Sequence, residues 1–455
     1  MTWAADRDVR IVVKGTGHDL SGRSSGAFGL SIWTRWFRTL RREKSWNVPG
    51  QIGAEDVFVV GSGLVWGDIL EFAMDQGRVV TTGQDPSVGL GGYVQGGGHG
   101  PLASTVGLAS QQVLQVTIVT TTGEILIANE VENEDLFWAI RGGGGGQYGV
   151  VTEYVIHARE CQDNNNTAAS WDAAAYLIRK LPDLMDAGPA GAATLSSGET
   201  AMKFNPSLTS GTDGAVLTQI FWSFNTTTEK VNDLIHPILA HLQAYDPSNT
   251  TLSVTWSPSP PATCKEFYTS ISRSNTAGSG GVSSSRLLGR NETSIPHEKL
   301  VQYVRRAVAS QNATAGTYAI IGLSGGPGVQ NADESRWGAL LPFWRSAYLH
   351  VYVGGASASL NGTNTPQDVL DESPAWMEEN KETLWREWAP EMGAYMNEAN
   401  PYDSEFARDF YGDYDGLKEV KERWDPTSSL YVVSGVGSEE WRYGLEDGRL
   451  CRGCG

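Results

Sequence analysis

Two glycine-rich stretches hold the residues best suited to chemistry in this 455-residue chain. The first runs Val13-Lys14-Gly15-Thr16-Gly17-His18-Asp19-Leu20-Ser21-Gly22. The second runs Val88-Gly89-Leu90-Gly91-Gly92-Tyr93-Val94-Gln95-Gly96-Gly97-Gly98-His99-Gly100. Glycine lets the backbone adopt positive φ and brings bare N–H groups against a ligand. A pyrophosphate, whose oxygens accept several hydrogen bonds at once, needs such a surface. Each stretch follows an apolar, strand-like run, and the first carries a histidine. Other readings of the glycines fail on spacing. A P-loop ends in Gly-Lys-Ser/Thr, which neither stretch has. Gly61-x-Gly63 is followed by Gly67, one residue late for the dinucleotide fingerprint, so a nicotinamide enzyme is disfavoured.

The elements that must position these loops alternate between short strands and helices. Residues 10–13 and 56–60 read as strands. A helix with a Trp66, Ile69, Leu70, Ala73 face follows, and then a strand at 79–82. Residues 115–120 alternate apolar and polar, turn at Thr122-Gly123 and resume at 125–127. This is an α+β pattern, and it runs to residue 158. From 159 to 390 the character changes. Helices are expected at 171–185 and from Thr228, where Val231, Leu234, Ile235, Ile238, Leu239 and Leu242 form one stripe with Pro237 at a kink. Strands are expected at 215–222, 317–323 and 347–353, forming an antiparallel sheet backed by helices. The Ser/Gly-rich run 270–290 reads as a mobile loop over a pocket. The polar run 162–167 marks the boundary between the two parts, and residues 391–455 return to the first part.

The ordered set of motifs resembles the flavin-binding half of the vanillyl-alcohol-oxidase superfamily, within it the berberine-bridge-enzyme-like FAD-linked oxidases of fungal isoamyl-alcohol-oxidase type. The matching segments are the two glycine loops, Gly61-Ser62-Gly63-Leu64-Val65-Trp66-Gly67, and Asn133 to Arg141 followed by five glycines and Gln147-Tyr148-Gly149-Val150-Val151-Thr152. Near the end come Tyr411-Gly412-Asp413-Tyr414 and Trp424-Asp425-Pro426. The resemblance implies FAD held by Gly15, Thr16, Gly17, Asp19, Ser21 and Gly22 of the first loop. It adds Pro86, Val88, Gly89, Gly91, Gly92, Gly96, Gly97 and Gly98 of the second loop, then Gly149, Val150, Val151, Asp413 and Tyr414. It implies a covalent bond from His18 to the flavin 8α carbon. Family members often add a bond from a Cys in the second loop, where this chain has Asp85, so one link is expected and not two. The family domain normally begins with a further strand and helix. With Met1 only 17 residues before His18, the first domain reads as lacking them, and an unpaired, exposed edge is expected near Ile11 to Val13. Asp413 also stands where the family usually has Asn. His99 occupies a position often aromatic in the family, which favours a packing or cofactor-adjacent role.

Removing a hydride from an alcohol to flavin N5 also requires a base for the hydroxyl proton. The family often uses a Tyr. Tyr395, ahead of the C-terminal motif, is the candidate for that role, the alternative being a Tyr packed between domains. On strand 347–353, alternation puts Tyr348, His350 and Tyr352 on one face, which either lines the pocket or meets solvent. The expected function is an FAD-dependent oxidase acting on an alcohol or related carbon, with dioxygen as acceptor. An oxidative ring-closing enzyme of secondary metabolism uses the same machinery. A flavin-free binding glycoprotein is the reading from a different class.

Composition narrows the partners. A net charge of −18 disfavours nucleic acid and anionic membranes, leaving a small-molecule substrate and a monomeric protein as the expectation. Sequons at Asn165, Asn225, Asn249, Asn291, Asn312 and Asn361 imply a secretory route, although no signal peptide precedes residue 10. No apolar run reaches the roughly 20 residues of a membrane span. The four cysteines (Cys161, Cys264, Cys451 and Cys454) lack the spacing of a metal site, so no metal is expected, and a tail disulfide or bonding to a cysteine in the missing first segment is favoured.

Overall fold

The alternation at 115–120 and the nearly unbroken apolar run at 56–60 become neighbouring strands of one five-stranded antiparallel sheet. Its strands are β3 (Leu40–Asn47), β4 (Ala54–Gly61), β5 (Val113–Val119), β6 (Ile125–Asn129) and β7 (Val150–His157), in the order β3-β4-β7-β5-β6. The apolar run is explained by burial on both faces. Phe58, Val60, Tyr154 and Ile156 pack with the helices Trp66–Met74 and Glu134–Ile140, while Val57, Val59 and Val155 pack with Val48 and Leu114 on the other side. In this computed structural model the described residues are 1–100, 102–158, 171–204, 215–223, 226–244, 256–258, 264–272, 282–356, 366–443 and 449–452.

Strand β3 was not anticipated. Its run Arg41-Arg42-Glu43-Lys44 hides it, yet charged side chains suit an edge strand, and Arg42 pairs with Asp56 on β4. The expected strand at 79–82 is buried, but among the described residues it belongs to neither five-stranded sheet, and only Val79 makes a single bridge. There Thr81 Oγ1 donates instead to the Gly107 carbonyl at 3.2 Å.

The second sheet has the order β10-β12-β11-β8-β9, antiparallel throughout: β8 (Ala190–Ser197), β9 (Ala215–Trp222), β10 (Ser284–Gly289), β11 (Tyr318–Leu323) and β12 (Ala347–Val353). The helices Trp171–Asp186, Thr228–Gln243 and His297–Ala307 bury apolar stripes against it, as the periodicity required, with Pro182 and Pro237 inside the first two. The fold is α+β, a flavin-domain sheet beside an antiparallel sheet backed by helices. Strand β10 corrects the expectation of a loop at 270–290: all six of its residues are buried, and its polar Ser284-Ser285-Arg286 start concealed it. Only 273–281 of that run lie outside the described residues.

At the N-terminus β1 (Ile11–Lys14) pairs in parallel with β2 (Leu30–Trp33). Ile11 and Val12 are buried, and the Ile11 N–H donates to the Ser429 carbonyl at 2.7 Å. The exposed apolar surface expected there is therefore covered at Ile11 and Val12, while the unpaired edge is present, since among the described residues β1 pairs with β2 alone. Exposed apolar side chains lie instead on β2 and after it, at Leu30, Trp33, Trp36 and Phe37.

The last segment adds Ala394, Met396, Ala399, Phe410, Tyr411, Leu417, Val420 and Val436 to the core of the first sheet. It is tied to the second sheet by a buried ion pair, Arg286 with Asp409, whose guanidinium also donates to the Ala389 carbonyl at 3.1 Å. The polar run 162–167, Cys161, Cys454, Asn165, Asn225, Asn249 and Asn361 lie outside the described residues. Asn291 and Asn312 are exposed, and Cys451 is held in a disulfide. Among the described residues no helix is long and apolar enough to cross a membrane.

Candidate functional site

The glycine loops, far apart in sequence, converge. The Gly89 N–H donates to Thr16 Oγ1 at 3.1 Å, joining the second loop to the first. The 142–146 glycines close in behind them. Gly144 N–H donates to the Gln95 carbonyl at 2.8 Å, and a Cβ on Gly145 would lie 3.1 Å from the Gly92 Cα. Gly17 and Gly22 take φ values of +92° and +71°, where a side chain is strained. Among the described residues, no backbone carbonyl takes up an N–H between Gly15 and Leu20. A Cβ at Gly15 or Gly92 would meet nothing within 4 Å. The loops thus present an open row of donors, which fits the pyrophosphate of a flavin nucleotide.

Two side-chain relays fasten this surface. His18 Nε2 lies 2.7 Å from Ser87 Oγ, which donates to Asp85 Oδ1 at 2.7 Å. Asp19 pairs with Arg23 at 2.6 Å, and Arg23 donates onward to Asn397 Oδ1 at 3.3 Å. The Asn397 amide then donates to the Gly92 carbonyl at 3.1 Å and to the Tyr395 hydroxyl at 2.8 Å. At Gly96 a Cβ would sit 2.4 Å from Asn397 Nδ2 and displace that amide.

Around Tyr395 the two sheets' contributions meet. Its ring centroid lies 4.9 Å from that of His99 and 5.5 Å from that of His350, and the two histidines are 4.8 Å apart. Glu398 Oε2 stands 3.5 Å from His99 Nε2 and 3.6 Å from His350 Nδ1. Burial pulls His350 down to about 3, so its ring is neutral near pH 7. Burial pushes the Glu398 carboxyl up, but His99 and then His350 outweigh it and leave the group at about 2. A neutral His350 supplies little of that attraction, so the half-buried His99 carries it, and Glu398 is ionised. Burial and the nearby Glu398 push the Tyr395 phenol up, which keeps it protonated.

Of the other expected residues, Tyr352 is one alternation along from His350, pushed up to about 12 by burial while bonded to Ser283. Tyr348 instead donates to Asp186 at 2.9 Å at a helix end. Pro86 and Val88 use their carbonyls to hold Gly67 and Trp66. Gly97 and Gly98 accept from Ser110 and Ala109, and Gly91 stands beside Gln95. Ser21 is half-buried in the first loop. Gly149 takes φ +151° against the Val119 carbonyl, and Val150 and Val151 pair with Val119 and Ile118 in the sheet. Asp413 is committed as the N-cap of helix Tyr414–Trp424, and Tyr414 bonds Glu439 at 2.5 Å, so neither contacts the glycine loops through its polar group. The buried Tyr411, three residues earlier than Tyr414, donates its hydroxyl to the Ser434 carbonyl at 2.9 Å. Residues missed in the sequence are Ser87, Arg23, Asn397 and Glu398. The last two share one short stretch, Tyr395-Met396-Asn397-Glu398, whose polar spacing was the available signal.

Residues 1–129 match the model of an FAD-binding domain, which makes the chain a flavin-nucleotide protein by class. It is 32% identical to the FAD-linked oxidoreductase patO of Aspergillus clavatus, over 99% of this chain and 75% of that one. It is 28% identical to the bifunctional decalin synthase calF of Penicillium decumbens, over 99% and 76%. The crystal structure of a VAO-type flavoprotein from Myceliophthora thermophila C1 superposes with a TM-score of 0.87 at 26% identity, covering 99% of this chain and 79% of that one. The chain belongs to the FAD-linked oxidoreductases of the vanillyl-alcohol-oxidase superfamily, and it is an oxidoreductase.

Proposed function

We propose that the protein oxidises an alcohol or related carbon of a small molecule, with dioxygen taking the two electrons and two protons away as hydrogen peroxide. The observation that carries this reading is the ionised Glu398 between His99 and His350, next to a protonated Tyr395 that is wired through Asn397 to the Gly92 loop. FAD, when bound, supplies the hydride acceptor. Glu398 takes the substrate hydroxyl proton, and His99 is placed to share it. Tyr395 donates its hydroxyl proton in a hydrogen bond that orients the substrate oxygen. His350, neutral and buried, packs the rear of the cluster, and Tyr352 borders it. Tyr395 is thereby an orienting donor and not the base, because burial keeps its phenol protonated near neutrality.

His18 forms the single covalent link to the flavin in this reading, with Asp85 replacing the second attachment. Residues 1–158 and 391–455 form the cofactor half and residues 159–390 the substrate half of a monomeric, secreted glycoprotein. The relative named as a decalin synthase favours one second reading, a tailoring step of secondary metabolism on the same scaffold. The test is anaerobic stopped-flow reduction with a panel of alcohols, followed by peroxide detection. Glu398→Gln should slow reduction about 10²–10⁴-fold, the usual cost of losing a general base. Tyr395→Phe should slow it less. A Glu398→Gln rate within a few-fold of the parent refutes the assignment.

A further inference from the structure

Asp85 and Ser87 stand behind His18 in a relay whose hydrogen count is fixed. The Asp85 Oδ1 atom accepts both the Ser87 main-chain N–H at 2.8 Å and the Ser87 hydroxyl at 2.7 Å. A carboxylate only accepts, and a hydroxyl has one proton to give. With that proton directed at Asp85, Ser87 turns a lone pair toward His18 Nε2, 2.7 Å away. The contact is then a hydrogen bond only if Nε2 carries the proton. A neutral imidazole has one N–H, so the lone pair is left on Nδ1.

We propose that Asp85 and Ser87 are positioning residues that hold His18 in its Nε2-protonated tautomer and present Nδ1 as the free nitrogen. The inference deepens the flavin reading and rests on it for its purpose: the ring nitrogen able to bond carbon is the one with the lone pair. Asp85 is buried to 8% exposure, and through Ser87 it holds the ring at its Nε2 edge. The position that carries a second attachment in the resembling family is used in this chain to orient the first.

The experiment is a two-bond ¹⁵N–¹H correlation spectrum of the full chain labelled in histidine, at about pH 8, above the ordinary imidazole range. The His18 signal is identified by its loss in His18→Gln. The expected result is a protonated Nε2 and a lone-pair Nδ1 in flavin-free parent, prepared under flavin depletion, because attachment itself consumes that lone pair. In Ser87→Ala and Asp85→Ala the ratio should shift about five-fold toward the other tautomer, the effect of one ordinary hydrogen bond. Ser87→Thr should restore the parent pattern, which separates positioning from loss of fold. In parallel, peptides carrying acid-stable flavin should show attachment at Nδ1. A parent with protonated Nδ1, or a Ser87→Ala spectrum identical to the parent, overturns the proposal. If no flavin is covalently held while the tautomer pattern is as expected, the positioning pair stands and the covalent reading falls.

Discussion

Acid should weaken this fold through one histidine, and the size of the effect follows from its surroundings. His350 is 2% exposed, its Nε2 has no hydrogen-bond partner, and its Nδ1 is 3.6 Å from Glu398. Burial lowers its proton affinity from 6.5 to about 3. The unfolded chain therefore binds a proton at His350 at a higher pH than the folded one. This contribution to stability is complete above pH 6.5 and is lost progressively as the pH falls toward 3, at about 1.4 kcal/mol per unit. Between pH 7.5 and 4.5 the loss is on the order of 2 to 3 kcal/mol. His99, Glu398 and Tyr395 face the same ring, and Glu398, depressed from 4.5 to about 2, adds its own loss only below pH 4.5. Urea unfolding followed by tryptophan fluorescence at pH 7.5 and 4.5, on the parent and on His350→Phe, isolates the term, because Phe keeps the ring and cannot titrate. The parent should lose about 2 to 3 kcal/mol more than the variant. Equal losses in the two proteins would show that water reaches the ring and refute the reasoning.

Arg286→Met leaves Asp409 buried with only Arg408, 2.7 Å away, as a charged partner, and should cost about 3 kcal/mol, read as a lowered urea midpoint. Gly142→Ala combines φ +120° with a Cβ 2.7 Å from the Leu340 backbone, whereas Gly53→Ala at φ +132° meets nothing within 4 Å. Calorimetry should show Gly142→Ala lowering Tm clearly more than Gly53→Ala, whose cost is backbone strain alone, about 1 kcal/mol. Gly96→Ala should push the Asn397 amide off Tyr395 and slow flavin reduction while the protein stays folded, since Gly96 itself has φ −96°.

How much of this was legible in the sequence depended on how local the cause was. The glycine loops were readable because positive φ at Gly17 and Gly22 and open space at Gly15 and Gly92 are properties of single residues. The stripes of helices 171–186 and 228–243 were readable because one apolar face repeats. Strand β8, Ala-Gly-Ala-Ala-Thr-Leu-Ser-Ser, and β10, Ser-Ser-Arg-Leu-Leu-Gly, have small or polar residues where a strand signal is sought. Their burial comes from neighbours distant in sequence. Arg286 reads as a solvent residue until Asp409 is brought to it. The same holds for the site: His99, His350 and Glu398 belong to three segments, and no spacing rule joins them. Asp85 was noticed as a missing cysteine, but its partner Ser87 had meaning only once His18 was folded against it.

Covalent attachment at His18 is tested most directly by the fate of the flavin when the purified protein is precipitated with acid. A yellow pellet with one flavin per chain, lost in His18→Ala, is the predicted result. A colourless pellet from yellow parent protein, or flavin still bound after His18→Ala, would contradict the attachment on which the site was built.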